Sequence, residues 1–217
     1  LHYESDSSKI FANTDIKGGV VITNRDKVKN YGAIEHFIVF DELRSIARKI
    51  GKTDYVSLSK AIYAAESYRF TETMHKENSS VESLLSKGHK SNVLSKLDNI
   101  VFFSEMPKDG SSYIKILGLD GSKRTEKWIR KDYVRVPENF GSYKVFISKA
   151  NGSGAFGETL SAPIIAEPGI GHTQTFMSIG KCESEQEAIA ITKYVKTKFA
   201  RAMLGVLKIT QDCPAPK

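Results

Sequence analysis

The stretch YIKILGLDGSKRTEKWIR, residues 113–130, decides how the rest of the chain is read. Tyr113–Leu119 alternates Tyr, Ile, Ile and Leu and runs into Asp120-Gly121, a dipeptide suited to a tight turn between antiparallel strands. The spacing predicts a β-hairpin whose return strand covers Arg124–Val134. Around it lie further short β-like runs. Ile100–Phe103, Lys144–Ser148, Ile164–Ile165 and Thr175–Ile179 each read as a strand. After them, Ala188, Ile191, Val195, Phe199, Ala202 and Val206 hold one face of a closing amphipathic helix over Ser184–Leu207. Glu185 and Glu187 in its first turn complement the helix dipole. Strands do not alternate with helices, so a doubly wound parallel sheet is excluded and the expected class is α+β.

The first hundred residues are less regular. Residues 16–23, IKGGVVIT, predict a buried strand, and Ala33–Phe40 its partner. Asp41 is placed to cap a helix through Ile50 that Gly51 ends. Residues 57–71 fit a helix through Leu58, Ile62, Ala65 and Tyr68, and fit a short strand through Tyr63, Tyr68 and Phe70. Asn78–Ser86 and Lys90–Leu97 read as short polar helical pieces. The resulting division is 1–40, 41–99 as a helical linker, and 100–217 as a β-rich module.

Composition bounds the function. The 217 residues are 40% hydrophobic and 26% charged, enough apolar material for a real core. Apolar runs such as Ala202–Leu207 fall far short of the roughly 20 residues a membrane span needs. The opening residues carry no leader pattern, and Cys182 and Cys213 make neither a disulfide framework nor a zinc spacing, so a cytoplasmic setting is expected. The chain begins at Leu1 without a methionine and reads as a segment of a longer polypeptide. Its net charge is +7, and residues 101–150 alone carry ten basic and six acidic side chains. Within that window Lys123, Arg124, Lys127, Arg130, Lys131 and Arg135 are interleaved with Trp128 and Tyr133, the pattern of a nucleic-acid surface.

Other motifs say less. Gly152-Ser-Gly154-Ala-Phe-Gly157 has the GxGxxG form, yet a strand rather than a helix is expected after it, so no helix N-terminus meets a pyrophosphate. The same loop places Lys149, Asn151 and Ser153 as candidates for base contacts, and His172-Thr173-Gln174 after a Gly-rich turn as a second group. Asp15-Ile16-Lys17, with Asp6 upstream, has the Asp-x-Lys form of a metal-dependent nuclease and supplies an alternative function. The five histidines are scattered, so no metal set is expected. No nucleophile elbow or paired Cys and His marks a catalytic residue.

Three stretches together resemble a known family: DIKGGVVIT at 15–23, KVFISKANGSG at 144–154, and YVKTKFARAMLGVLKITQD at 194–212. In this order they are similar to the C-terminal part of bacterial adenine-specific DNA methyltransferases of restriction–modification systems, some of them fused to an endonuclease. The resemblance implies that residues 1–40 are late strands of a methyltransferase core and that 100–217 is a target recognition domain for double-stranded DNA. It also implies S-adenosylmethionine as the cofactor of the parent enzyme, and the N-terminal methyltransferase core as a partner. The Gly-rich cofactor motif and the Asn-Pro-Pro-aromatic motif of that family are missing, so no catalytic residue is assigned and this chain is not by itself a complete enzyme. On this reading Lys123, Arg124, Lys127, Arg130, Lys131 and Lys144 contact phosphates, while Lys149, Asn151, Ser153, His172, Thr173 and Gln174 read bases.

Overall fold

Asp120 and Lys123 face each other across a two-residue turn, and the strands behind them pair in register back to Tyr113 and Arg130. A computed structural model describes residues 2–16, 18–32, 38–85, 94–151, 160 and 162–207. In chain order the strands are β1 (His2–Glu4), β2 (Val20–Ile22), β3 (Ile62–Tyr63), β4 (Arg69–Phe70), β5 (Tyr113–Asp120), β6 (Lys123–Arg130), β7 (Val134–Arg135), β8 (Tyr143–Ser148), β9 (Ile164–Ala166), β10 (Ile170–His172) and β11 (Phe176–Cys182). The α-helices are α1 (Asp41–Ile50), α2 (Glu72–Glu77), α3 (Glu185–Val195) and α4 (Lys198–Leu207). The class is α+β.

Two sheets carry the fold. One has the order β10-β5-β6, the other β3-β11-β8-β9. β10 runs parallel to β5, a pairing across more than fifty residues that no local pattern announces. Alternation explains the hairpin's placement: Ile114, Ile116 and Ile129 point to one face and enter a core with Met74, Leu94 and Phe102. Gly118 falls on that face because a Cβ there would come within 2.6 Å of the Leu94 side chain. On the hairpin's other face, near the turn, Leu117 joins Phe146, Ala166 and Phe176. This small cluster links the two sheets. A third cluster lies beneath α3, where Ala188 and Val195 pack with Val145, Met177 and Ile179.

The closing helix is split. Ser184 caps α3, its Oγ accepting from the Glu187 amide. Thr197 then stops the run: its hydroxyl bonds to the Tyr194 carbonyl at 2.8 Å and accepts from the Ala200 amide at 3.1 Å, which starts α4. Apolar periodicity continues through the break, so spacing alone does not reveal it.

Several expectations need correction. β2 pairs with β1, and its Val21 and Ile22 are exposed rather than buried; of the expected partner run, 33–37 lie outside the described residues and 38–40 are not strand. Asp41 is the first residue of α1, not its cap, and forms an ion pair with Arg44 instead. Ile100–Phe103 makes only isolated bridges, because Asn99 turns the chain at a positive φ of 56°. Val101 and Phe102 are nevertheless buried, while Ile100 is exposed. Residues 58–70 contain both short 3-10 turns and the two-residue strands β3 and β4. In the 78–86 piece a 3-10 helix spans Ser79–Leu84, and α2 precedes it unannounced; in the 90–97 piece only Leu94–Leu97 is described, again 3-10.

Candidate nucleic-acid interface

The hairpin presents an outer face where cations and aromatic rings alternate. Cross-strand register places Tyr113 opposite Arg130 and Lys115 opposite Trp128, and directly opposed residues share a face. Lys115 Nζ lies 5.3 Å from the Trp128 ring centroid, and the Arg130 guanidinium 4.3 Å from that of Tyr133. All four hairpin residues are half-buried, offering ring edges and charged heads to solvent together. Phe103 bonds to Trp128 through both backbone groups at the edge of β6 and packs edge-on against Tyr113, which extends the face on that side.

Arg130 is held firmly. Its guanidinium binds the Asp132 carboxylate, Glu77 and the Tyr133 hydroxyl. The Asp132 bond is the main cause of its raised pKa, which keeps it charged throughout. The Tyr113 phenol is pushed up to about 12, first by desolvation and then by its bond to Asp109. It therefore remains a hydroxyl donor at neutral pH.

The six proposed phosphate contacts separate into three groups. Lys123 and Lys131 are exposed, at the tip and the foot of the hairpin. Arg124 and Arg130 lie half-buried; Arg130 is on the outer face, whereas Arg124 turns towards the second sheet, over the Phe176 ring, and donates to the Ala162 carbonyl and the Ser148 hydroxyl. Lys127 and Lys144 do not reach solvent. Alternation turns Lys127 inward, where it is 3% exposed and pairs with Asp98 at 2.6 Å. Lys144 is fully buried, and its Nζ donates to the carbonyls of Phe140, Ser142 and Glu167. Burial lowers its pKa to about 8. Both lysines hold the structure together from inside and are withdrawn as phosphate contacts.

The proposed base-reading residues are also mostly interior. His172 ends β10 and is 1% exposed; Thr173 and Gln174 are 5% and 9% exposed. Pairing of β10 with β5 carries them into the molecule, and the Thr173 amide bonds to the Leu117 carbonyl. His172 Nδ1 is 2.9 Å from the Thr173 carbonyl, which can only accept, so this nitrogen carries the proton. Desolvation lowers the ring's pKa to about 4. Tyr68 and Phe146 pack edge-on against it at 4.6 and 5.0 Å. Asn151 is 5% exposed, and Lys149 pairs with Glu66 at 3.5 Å. Ser153 lies outside the described residues. As bases cannot reach His172, Thr173, Gln174 and Asn151 in this arrangement, the direct-contact assignment is corrected for these four.

Asp6 of the alternative nuclease site caps a 3-10 turn, accepting from the amide and hydroxyl of Ser8. Asp15 is exposed, and Lys17 lies outside the described residues. Among the described residues no group of three or more His, Cys, Asp or Glu side chains could hold a metal ion. The 152–157 glycine motif lies outside the described residues. No helix of the described residues is long and apolar enough to cross a membrane.

Fold and site together define an α+β chain whose hairpin carries aromatic rings and ion-paired cations on its outer face. No protein-family model, no curated protein sequence and no solved structure matches it.

Proposed function

We propose that this chain binds double-stranded DNA as the target recognition segment of an adenine-specific restriction–modification methyltransferase. The outer face of the β5–β6 hairpin carries this reading, because Lys115 and Arg130 alternate there with Trp128 and Tyr113. Phosphates attract such a face over a distance, and rigid aromatic edges supply contact area once water is excluded. Lys123 and Lys131 flank it and act as the outlying phosphate contacts. Arg130, pre-oriented by Glu77 and Asp132, sets the register of the duplex along the strands. Cofactor binding and methyl transfer belong to a catalytic core bearing the motifs that this sequence lacks.

Anisotropy of a short labelled duplex, titrated with the full chain at several salt concentrations, tests the proposal. Each lysine bound to a phosphate adds about 0.9 to the magnitude of the log–log salt slope. Lys123→Ala and Lys131→Ala are each expected to weaken binding to every sequence alike and to make the slope shallower by about 1. Unchanged slopes in both variants contradict the phosphate roles.

A further inference from the structure

Two segments far apart in the chain share one pattern: Tyr68-Arg69-Phe70 and Val134-Arg135-Val136 each set an arginine between apolar residues. Period-two alternation sends the flanking side chains to one face of a strand and the arginine to the other. β4 and β7 pair these segments antiparallel, with Phe70 opposite Val134 and Arg69 opposite Arg135. Phe70 and Val134 pack into the core, and both arginines are exposed on the outer face.

Directly opposed residues hold their Cβ atoms about 5 Å apart, and like charges placed so repel. Local acids do not relieve the pair. Glu66 is engaged by Lys149, while Asp132 and Glu77 are engaged by Arg130. Among the described residues neither Arg69 nor Arg135 forms an ion pair. Arg69 Nε donates to the Glu66 carbonyl at 3.0 Å, which orients the guanidinium and leaves its terminal nitrogens for another acceptor.

We infer that Arg69 and Arg135 form a phosphate-binding site, separate from the hairpin's outer face and independent of the DNA reading. Two guanidinium groups carried by directly opposed strand positions offer N–H donors of the kind that suit phosphate oxygens. The donors recognise the phosphate itself, whether free or within a phosphodiester backbone.

Thermal unfolding of the full chain in inorganic phosphate, against sodium chloride at equal ionic strength, tests the site. Wild type is expected to melt higher in phosphate. Arg69→Gln and Arg135→Gln should each lose that increment, and each should melt above wild type in chloride because the repulsion is gone. An increment that persists undiminished in both variants, or none in wild type, overturns the inference. Binding to a labelled duplex then identifies the source. Weaker binding with a slope shallower by about 1 in each variant assigns the site to the DNA backbone. Loss of the phosphate increment with duplex binding unchanged assigns it to a free phosphate. A specific phosphate increment in a chain that binds no duplex upholds the site and removes the proposed function.

Discussion

Lowering the pH from 6.5 to 4 is expected to reduce the unfolding free energy by about 3 kcal/mol through His172 alone. Burial at 1% exposure disfavours the charged ring, and the nearby Lys144 ammonium adds to the effect, so the folded pKa is about 4. An unfolded histidine titrates near 6.5. Between those values the unfolded chain binds a proton that the folded chain refuses. The stabilising contribution is thus complete above pH 6.5 and is lost as the pH falls through 4. Urea unfolding across this range measures it. His172→Phe keeps an aromatic body between Tyr68 and Phe146 and removes the titration, so its stability should be flatter with pH. Carboxylates held below their usual range, such as Asp109, titrate at the acid end in both proteins and cancel in the comparison. A variant with the wild-type pH slope contradicts the buried, neutral imidazole.

Phe146→Ala is expected to cost about 3–5 kcal/mol, a large share of the 5–15 kcal/mol typical of a whole domain. The ring is 1% exposed and packs with Leu117 of β5 and Phe176 of β11, so it sits where the two sheets meet. It also walls one side of His172. Truncation leaves a cavity between sheets whose hydrogen bonding gives them little room to close over it. Phe11→Ala is the matched control, since Phe11 is 51% exposed and its loss should change stability by no more than about 0.5 kcal/mol. Equal denaturant midpoints for the two variants contradict the role given to the small cluster.

Local chemistry made part of this structure legible. The hairpin at 113–130 rests on alternation and on Asp120-Gly121, both short-range signals, and it forms, although the return strand expected through Val134 ends at Arg130, where a 3-10 turn over Lys131–Tyr133 begins. β8, β9 and β11 are similarly local. What the sequence hid is long-range pairing. β10 is three residues long and lies parallel to β5, and that contact moves the His172–Gln174 segment from its expected place as a base-contacting group into the interior. The same blindness affected the lysines. A run of basic residues on a strand divides between two faces, so Lys127 points inward while Arg130 points outward. Counting charge located the window without choosing the face. Arg69 and Arg135 were hidden for another reason: each occupies a two-residue strand, too short for a periodic signal, and their meeting depends on the pairing of β4 with β7.

Trp128 is the only tryptophan of the chain and stands on the hairpin's outer face across from Lys115. Its emission therefore reports directly on whether that face meets DNA. Titrating the protein with a short duplex at low salt is predicted to change Trp128 fluorescence saturably, with the same midpoint as anisotropy of the labelled duplex. Duplex that binds with Trp128 emission unchanged, or that does not bind at all, would contradict the account.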